Sequence, residues 1–216
     1  MTAGELSVIH PGEQVVPERR DASIQGLLLA AGMSNRFGDE NKLLASIDGK
    51  PVVRHAAETL VDSALDGTTV VLGYEAEAVR AALGDLPVEF VVNPDFNKGQ
   101  ASSLTAGLRT LLDADAVVIA LGDMPNVSVA TVDALIETYR RGGGDALAAA
   151  HEGVRGNPVL FDRAYFEAIL EVSGDTGARD VLLAAERGGL VETDDPGVRR
   201  DIDHPTDMND ERDRTG

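Results

Sequence analysis

The stretch that decides the fold is IQGLLLAAGMSNRFGDENKLL, residues 24–44. It begins with a mainly apolar run, residues 24–30, which has the length of a fully buried strand. Gly32 follows almost at once, and Gly38 and Lys42 come before the sequence turns apolar again. Open parallel sheets bind ligands outside the carboxyl ends of their strands, so this glycine-containing loop is a candidate ligand site.

The residues of this loop favour phosphate binding. Gly32 lets the backbone approach a ligand closely, Ser34 and Arg36 supply hydrogen-bond donors, and Lys42 adds a compact positive charge. The sequence lacks the G-x-G-x-x-G dinucleotide fingerprint, and no G-K-[ST] follows Gly38, so this is not a Walker loop. A triphosphate fits this set of groups. Taken alone, an ordinary glycine turn with two surface cations remains open as an alternative.

Short apolar runs alternate with segments of helical period along the chain. Further strands are predicted at residues 69–72, 88–92, 116–121, 145–151 and 154–161, and helices at 51–65, 102–112, 128–139, 163–170 and 177–187. Alternation of this kind indicates right-handed βαβ units and a mixed, mostly parallel sheet flanked by helices. The sequence therefore predicts one α/β domain over residues 24–208, a flexible tail over 1–23 and a frayed carboxyl terminus over 209–216.

Composition limits the possible partners. The chain has 37 acidic and 19 basic residues, a formal charge of −18, which disfavours nucleic acid and anionic membrane surfaces. Only three of the basic residues are lysines, Lys42, Lys50 and Lys98. The scarcity of lysine, together with the excess of acidic residues, predicts a halophilic protein, and the alternative is an ordinary acidic protein. The absence of cysteine excludes disulfides and thiolate metal sites. Neither a signal peptide nor a membrane-spanning run is present, which predicts a cytoplasmic location.

The pattern L-A-A-G-x-S-x-R-F-G-x-x-N-K-L-L, from Leu29 to Leu44, resembles the signature of the nucleotidyltransferases that attach a nucleotide to molybdopterin. It is most similar to that of the molybdenum cofactor cytidylyltransferases. Five further motifs follow in the family's order, namely NPDFNKGQASSLTAGL from residue 93, LGDMP from 121, RGNPVLF from 155, GDTGAR from 174 and DIDHPTD from 201. The resemblance covers most of residues 24–208 and implies a Rossmann-like nucleotide-diphospho-sugar transferase fold. His204 departs from the pattern, because a threonine is common there.

Asp123 is the clearest metal-ligand candidate from the residues alone. It follows a buried strand, Gly122 permits close approach and Pro125 stops the strand from continuing. Carboxylate oxygens beside phosphates are the ligands that Mg²⁺ prefers, although Asp123 could also be a turn residue. The resemblance implies Asp203, expected at the end of another short strand, as the second Mg²⁺ ligand, with Asp201 less favoured. Without the resemblance, an acidic tail accounts for both residues.

The resemblance also implies roles for other residues. The catalytic residues would be Lys42 at the α-phosphate and Arg36 at the departing pyrophosphate. The nucleotide would be bound by Leu29, Ala30, Ala31, Gly32, Ser34, Asn93, Gly99, Gln100 and Ser103, and the acceptor by Arg155, Asn157, Asp175 and Arg179. For the segment around Gln100, the alternative to nucleotide binding is an ordinary helix capped by Ser102 or Ser103. For Arg155, the alternative to acceptor binding is an arginine at a hairpin turn.

The activity implied by these motifs is transfer of CMP from CTP to molybdopterin, with Mg²⁺ as cofactor and pyrophosphate as product. Rival interpretations are guanylyl transfer, transfer to a sugar phosphate, and a non-catalytic nucleotide-binding protein that delivers the cofactor. A molybdenum hydroxylase or its maturation factor is a possible partner. The guanylyl-transferring relatives commonly have L-A-G-G where this chain has Ala31 before Gly32, so a methyl group at position 31 is expected to favour the smaller pyrimidine.

Overall fold

The computed structural model describes residues 6–10, 19–33, 37, 41–174 and 177–208. Within these ranges, eight strands form one sheet in the order β1-β10-β8-β9-β7-β2-β5-β6, and two more form a small hairpin. The strands of the sheet are β1 (Ser7–Ile9), β2 (Ile24–Ala30), β5 (Gly67–Leu72), β6 (Glu89–Val92), β7 (Ala116–Leu121), β8 (Ala146–His151), β9 (Val154–Asp162) and β10 (Gly188–Glu192). The hairpin pairs β3 (Ser46–Ile47) with β4 (Lys50–Pro51).

The sheet is mixed but mostly parallel, as predicted. Strand β9 is antiparallel to both of its neighbours, β7 and β8, and the other neighbouring strands of the sheet pair in parallel. Because β9 runs the other way, the start of β9 lies at the same edge of the sheet as the end of β7. Residues from both strands can therefore meet at that edge.

Helices cover both faces of the sheet. Among the described residues they are α1 (Val52–Val61), α2 (Ala76–Leu83), α3 (Gln100–Leu108), α4 (Val129–Arg140), α5 (Phe166–Leu170) and α6 (Arg179–Ala184). Alternate side chains of β2 enter two cores: Leu28 and Ala30 pack with α1, α2 and α4, whereas Leu27 and Leu29 pack with α3, α5 and α6. Burial on both faces explains why β2 is apolar almost throughout. None of the helices described combines the length and apolar character that a membrane crossing requires.

The structure corrects three predictions. Residues 1–23 are not wholly a flexible tail, because Ser7–Ile9 form an edge strand that pairs in parallel with β10. Residues 1–5 and 11–18 of this range lie outside the described residues. Asp203 does not end a strand, since residues 201–203 have no regular secondary structure. Helix α3 begins after Gly99 and has no side-chain cap, so neither Ser102 nor Ser103 caps it.

Besides β1 and the hairpin strands β3 and β4, the elements α2 and β10 were not predicted. The predicted frayed terminus at 209–216 lies outside the described residues. Helix α2 has only two buried residues, Val79 and Leu83, so its apolar stripe is narrow. Strand β10 begins with two glycines, which are unfavourable within strands. Both elements owe their formation to tertiary packing more than to their local sequence.

We expect Gly156→Ala to destabilise the protein by about 1–3 kcal/mol, because a Cβ at this position in β9 would overlap the backbone carbonyl of Val198. Gly84→Ala is the matched control. A Cβ at Gly84 would meet its nearest atoms, the carbonyl oxygens of Arg80 and Ala81, at 3.6 and 3.8 Å, and the backbone there is right-handed helical, so the change should be stabilising by less than about 1 kcal/mol. Urea unfolding measures both. Equal stability of the two variants would contradict the close approach of β9 to residues 196–199.

Candidate active site

A cavity of about 710 Å³ lies over the carboxyl ends of β2 and β7. Six of the residues predicted to bind a nucleotide line it: Leu29, Ala31, Gly32, Gly99, Gln100 and Ser103. Apart from its two chain neighbours, no atom of the described residues lies within 4 Å of the position that a Cβ on Gly32 would take. Phe96 and Met33, which were not predicted, add apolar surface to the wall.

Two predicted residues do not line this cavity. Ala30 is 1% exposed and packs into the opposite core. Asn93 is buried, and its amide donates to the hydroxyl oxygens of Ser102 at 2.9 Å and Ser103 at 3.0 Å, while its carbonyl oxygen accepts from the backbone of Asp95 at 2.9 Å. Asn93 therefore holds the loop before α3 in shape. Gly99 permits the sharp turn into α3, since its φ of +96° strongly favours glycine.

The predicted metal ligands converge because a carboxyl-terminal loop docks onto the end of β7. The backbone of Ile202 donates to the carbonyl oxygen of Asp123 at 2.8 Å, and the Ile202 side chain, 2% exposed, is anchored in a small apolar cluster. Asp207 fixes the next turn, since its Oδ2 accepts from the backbone of Asp203 at 2.9 Å and of His204 at 2.7 Å. This positioning role of Asp207 was not predicted.

Asp123, Asp201 and Asp203 each place a carboxylate oxygen within 4.8 Å of the others. Oδ1 of Asp123 is buried and has no hydrogen-bonding partner among the described residues, a costly arrangement without a compensating charge. Hard oxygen ligands grouped in this way fit a divalent cation such as Mg²⁺ or Mn²⁺. Asp201, the less favoured candidate in the sequence, therefore joins the two predicted ligands.

Lys42 lies between two of these carboxylates. Its Nζ is 2.7 Å from Oδ2 of Asp123 and 2.9 Å from Oδ1 of Asp203, and its side chain is 13% exposed. Burial alone would lower the pKa of Lys42, but the attraction of Asp123 and the hydrogen bonds to both carboxylates outweigh it and raise the pKa above its usual value. Burial raises the pKa of Asp123, an effect that Lys42 opposes and the nearby charge of Asp201 reinforces. The raised pKa keeps Lys42 a cation at neutral pH.

A short helical turn sets the position of Lys42. Asn41 caps this turn, Lys42–Leu44, by accepting from the backbone of Leu43 at 3.1 Å, and the Leu43 side chain is buried. The lysine thus projects from a fixed backbone. The predicted site residues Ser34, Arg36 and Asp175 lie outside the described residues, so their roles stay predictions.

A second, smaller cavity of about 140 Å³ adjoins the first and shares Leu29, Gln100 and Leu121 with it. Three of the four residues predicted to bind the acceptor line it: Arg155, Asn157 and Arg179. Burial and then the charge of Arg179 lower the pKa of Arg155 from its usual value. Two guanidinium groups that have no ion-pair partner among the described residues favour an anionic ligand in this cavity.

Comparisons with known proteins agree with this geometry. Residues 26–188 match the model of the MobA-like NTP transferase domain. The chain is 34% identical over 190 residues to nicotine blue oxidoreductase of Paenarthrobacter nicotinovorans, covering 83% of this chain and 92% of that one. It is 30% identical over 197 residues to the purine catabolism protein PucB of Bacillus subtilis, covering 86% of this chain and 94% of PucB.

Solved structures show the same fold. The crystal structure of Rv0371c from Mycobacterium tuberculosis is 28% identical, with a TM-score of 0.79 over 88% of this chain and 97% of the other. A structure of that protein in complex with manganese is 26% identical, with a TM-score of 0.64 over 89% and 97% of the two chains. A divalent cation is thus consistent both with a relative and with the three clustered carboxylates. From the matched region, the relatives and the fold together, the chain belongs to the MobA-like NTP transferase domain family, a family of nucleotidyltransferases.

Proposed function

We propose that this protein transfers CMP from CTP to molybdopterin and releases pyrophosphate. The observation that carries the proposal is the grouping of Lys42, Asp123 and Asp203 on the wall of a cavity that is also lined by Ala31 and Gly32. Nucleotidyl transfer depends on positioning and on neutralising phosphate oxygens, and this cavity offers both signs of charge for that purpose.

The reaction needs little proton chemistry from the protein. The phosphate monoester of the acceptor has a second pKa of about 6, so it is largely deprotonated at neutral pH. Its oxygen attacks the α-phosphorus of CTP, a new P–O bond forms, and the bond to the bridging oxygen breaks with its electron pair leaving on pyrophosphate. No general base is required for this step.

The side chains have separate tasks in this scheme. Asp123 and Asp203, with Asp201, would hold Mg²⁺, which when bound neutralises phosphate charge. Lys42 supplies a compact charge to the α-phosphate, and Arg36 is proposed to hold the oxygens of the departing pyrophosphate. Lysine suits its position because a planar guanidinium is bulkier than an ammonium group.

The acceptor is proposed to occupy the second cavity. Arg155 and Arg179 would bind its anionic group, Asn157 would donate or accept a directional hydrogen bond, and Asp175 is proposed to contact it from the loop before α6. Because this cavity shares Gln100 with the larger one, an acceptor there lies next to the nucleotide. This adjacency supports transfer between two bound substrates.

The preference for CTP is proposed to come from the wall around Ala31. Ala31 is 4% exposed, and its methyl group lies close to Gly73, where an added Cβ would come within 2.7 Å of it. Ser103 accepts from Asn93, which leaves its hydroxyl proton able to donate to a carbonyl oxygen of the base. A pyrimidine is expected to fit this wall better than a purine.

Other activities are weighed against the same residues. One relative is named an oxidoreductase, but this sequence lacks the dinucleotide fingerprint and keeps Lys42 and Asp123. Guanylyl transfer and a sugar-phosphate acceptor use the same phosphate-binding groups and are distinguished by assay. We propose that the product is next transferred to a molybdenum hydroxylase, either directly or through the maturation factor of that enzyme. We also propose that the protein works in a cytoplasm rich in salt.

We expect CTP to be preferred over GTP when pyrophosphate release is measured with molybdopterin as acceptor in molar KCl and Mg²⁺. Ala31→Gly should narrow the ratio of kcat/KM for the two nucleotides without reversing it, since one methyl contact supplies only about 10- to 200-fold discrimination. Use of GTP as efficiently as CTP by the wild-type protein would move the assignment to the guanylyl branch. Turnover with a sugar phosphate alone would replace molybdopterin as the acceptor.

Asp123→Ala should abolish transfer, lowering kcat by about 1,000-fold or more, because a metal ligand contributes several kcal/mol of transition-state stabilisation. The fold should survive, as judged by circular dichroism and thermal unfolding. Asp113→Ala is the matched control, because Asp113 is exposed and remote from the cavity lining. Near-normal turnover in a folded Asp123→Ala variant would remove the metal assignment.

Arg155→Ala should raise the KM for molybdopterin by about tenfold or more and leave the KM for CTP nearly unchanged, because hydrogen bonds to charged groups contribute about 1.5–3 kcal/mol. Arg109→Ala, at the other end of α3 from the cavities, serves as the control for loss of a positive charge. Steady-state kinetics with each substrate varied in turn separates the two constants. An equal rise in both KM values would place Arg155 outside a dedicated acceptor site.

A further inference from the structure

The carboxylates proposed to bind the divalent cation are already paired with a positively charged side chain, that of Lys42. The ammonium group of Lys42 contacts one oxygen of Asp123 and one of Asp203 at 2.7 and 2.9 Å. Asp201 brings a third carboxylate oxygen within 4.8 Å of those two residues, so the cluster would repel itself strongly without a cation. Lys42 supplies that charge in the protein as described.

We propose that Lys42 is the resident counter-ion of the divalent-cation site and that it leaves Asp123 and Asp203 when a cation binds. The inference rests on the proposed function in one respect, the assignment of these carboxylates as cation ligands. An ammonium group and a divalent cation between the same two carboxylates would lie within about 4 Å of each other, where like charges repel. Binding of one therefore disfavours the other.

This exchange gives Lys42 two successive partners. In the cation-free protein it neutralises the carboxylates and prevents the cluster from repelling itself. Once a cation takes over that task, the lysine becomes available to phosphate oxygens in the same cavity. Cation binding and the charge that Lys42 offers to a nucleotide are thereby coupled, with the cation required first or together with the nucleotide.

The first experiment measures Mn²⁺ binding to the full chain without nucleotide, with free Mn²⁺ quantified by electron paramagnetic resonance. Lys42→Met should bind Mn²⁺ about tenfold more tightly than the wild type, because two partly buried ion pairs no longer compete. Lys98→Met is the matched control: Lys98 lines the same cavity but pairs with Asp95, and its loss should change the affinity less than about twofold. Asp123→Ala sets the baseline for lost binding.

The scarcity of lysine allows a second, direct readout. Acetylation of Lys42, Lys50 and Lys98 can be followed separately by mass spectrometry, and the latter two, with side chains 50% and 66% exposed, serve as internal references. We expect saturating Mn²⁺ to increase the acetylation rate of Lys42 relative to both references by about tenfold, as the ion pairs that protect it are released.

Each outcome decides between the two assignments. Unchanged or weaker Mn²⁺ binding by Lys42→Met, with binding still lost in Asp123→Ala, overturns the exchange and leaves the metal site standing. An unchanged Lys42 acetylation rate at saturating Mn²⁺ likewise overturns the exchange. Absence of Mn²⁺ binding in both wild type and Lys42→Met overturns the exchange together with the proposed metal site.

Discussion

The hydrogen bond from the backbone of Ile202 to the carbonyl oxygen of Asp123 brings together the two parts of the chain that form the candidate active site. It joins the end of a central strand to a loop about 80 residues later, and the buried side chain of Ile202 keeps that loop in place. This contact brings three carboxylates together, and Lys42 offsets their mutual repulsion by pairing with Asp123 and Asp203. The apolar contacts of Ile202 and the charge of Lys42 thus act together to keep the like charges of the carboxylates close to one another.

The two faces of the sheet contribute differently to the site. The core formed with α3, α5 and α6 supports both cavities, since Leu29 and Leu104 belong to it and Gln100 begins α3. The other core, formed with α1, α2 and α4, contains Ala30. None of the described residues that line the second cavity belongs to it. Asn93 fixes the shape of the loop that precedes α3 through three hydrogen bonds, to Ser102, Ser103 and the backbone of Asp95.

The sequence predicted the elements whose signal lies in their own residues, and it missed those that depend on distant parts of the chain. Strands β2 and β7 are buried on both faces, so they are visible as apolar runs, and their predicted bounds agree with the structure. Strand β1 has two exposed residues out of three and forms only because β10 offers a partner edge, which no local pattern reveals. The meeting of Asp123 with Asp203 is a long-range contact, and the residues alone favoured an acidic tail. The resemblance to a family, not periodicity, predicted that pair.

In the proposed reaction, the reversed direction of β9 would separate the nucleotide site from the acceptor site along the chain. The larger cavity is lined mainly by the segments that follow β2 and precede α3, whereas Arg155 and Asn157 of the second cavity come from the first residues of β9. Its later residues pack into both cores, Val159 and Phe161 with α3, α5 and α6, and Leu160 with α1, α2 and α4. The start of this strand can therefore diverge without altering the loop after β2. Under the proposed function, substitutions at this single strand entrance would change the acceptor while the triphosphate chemistry is retained.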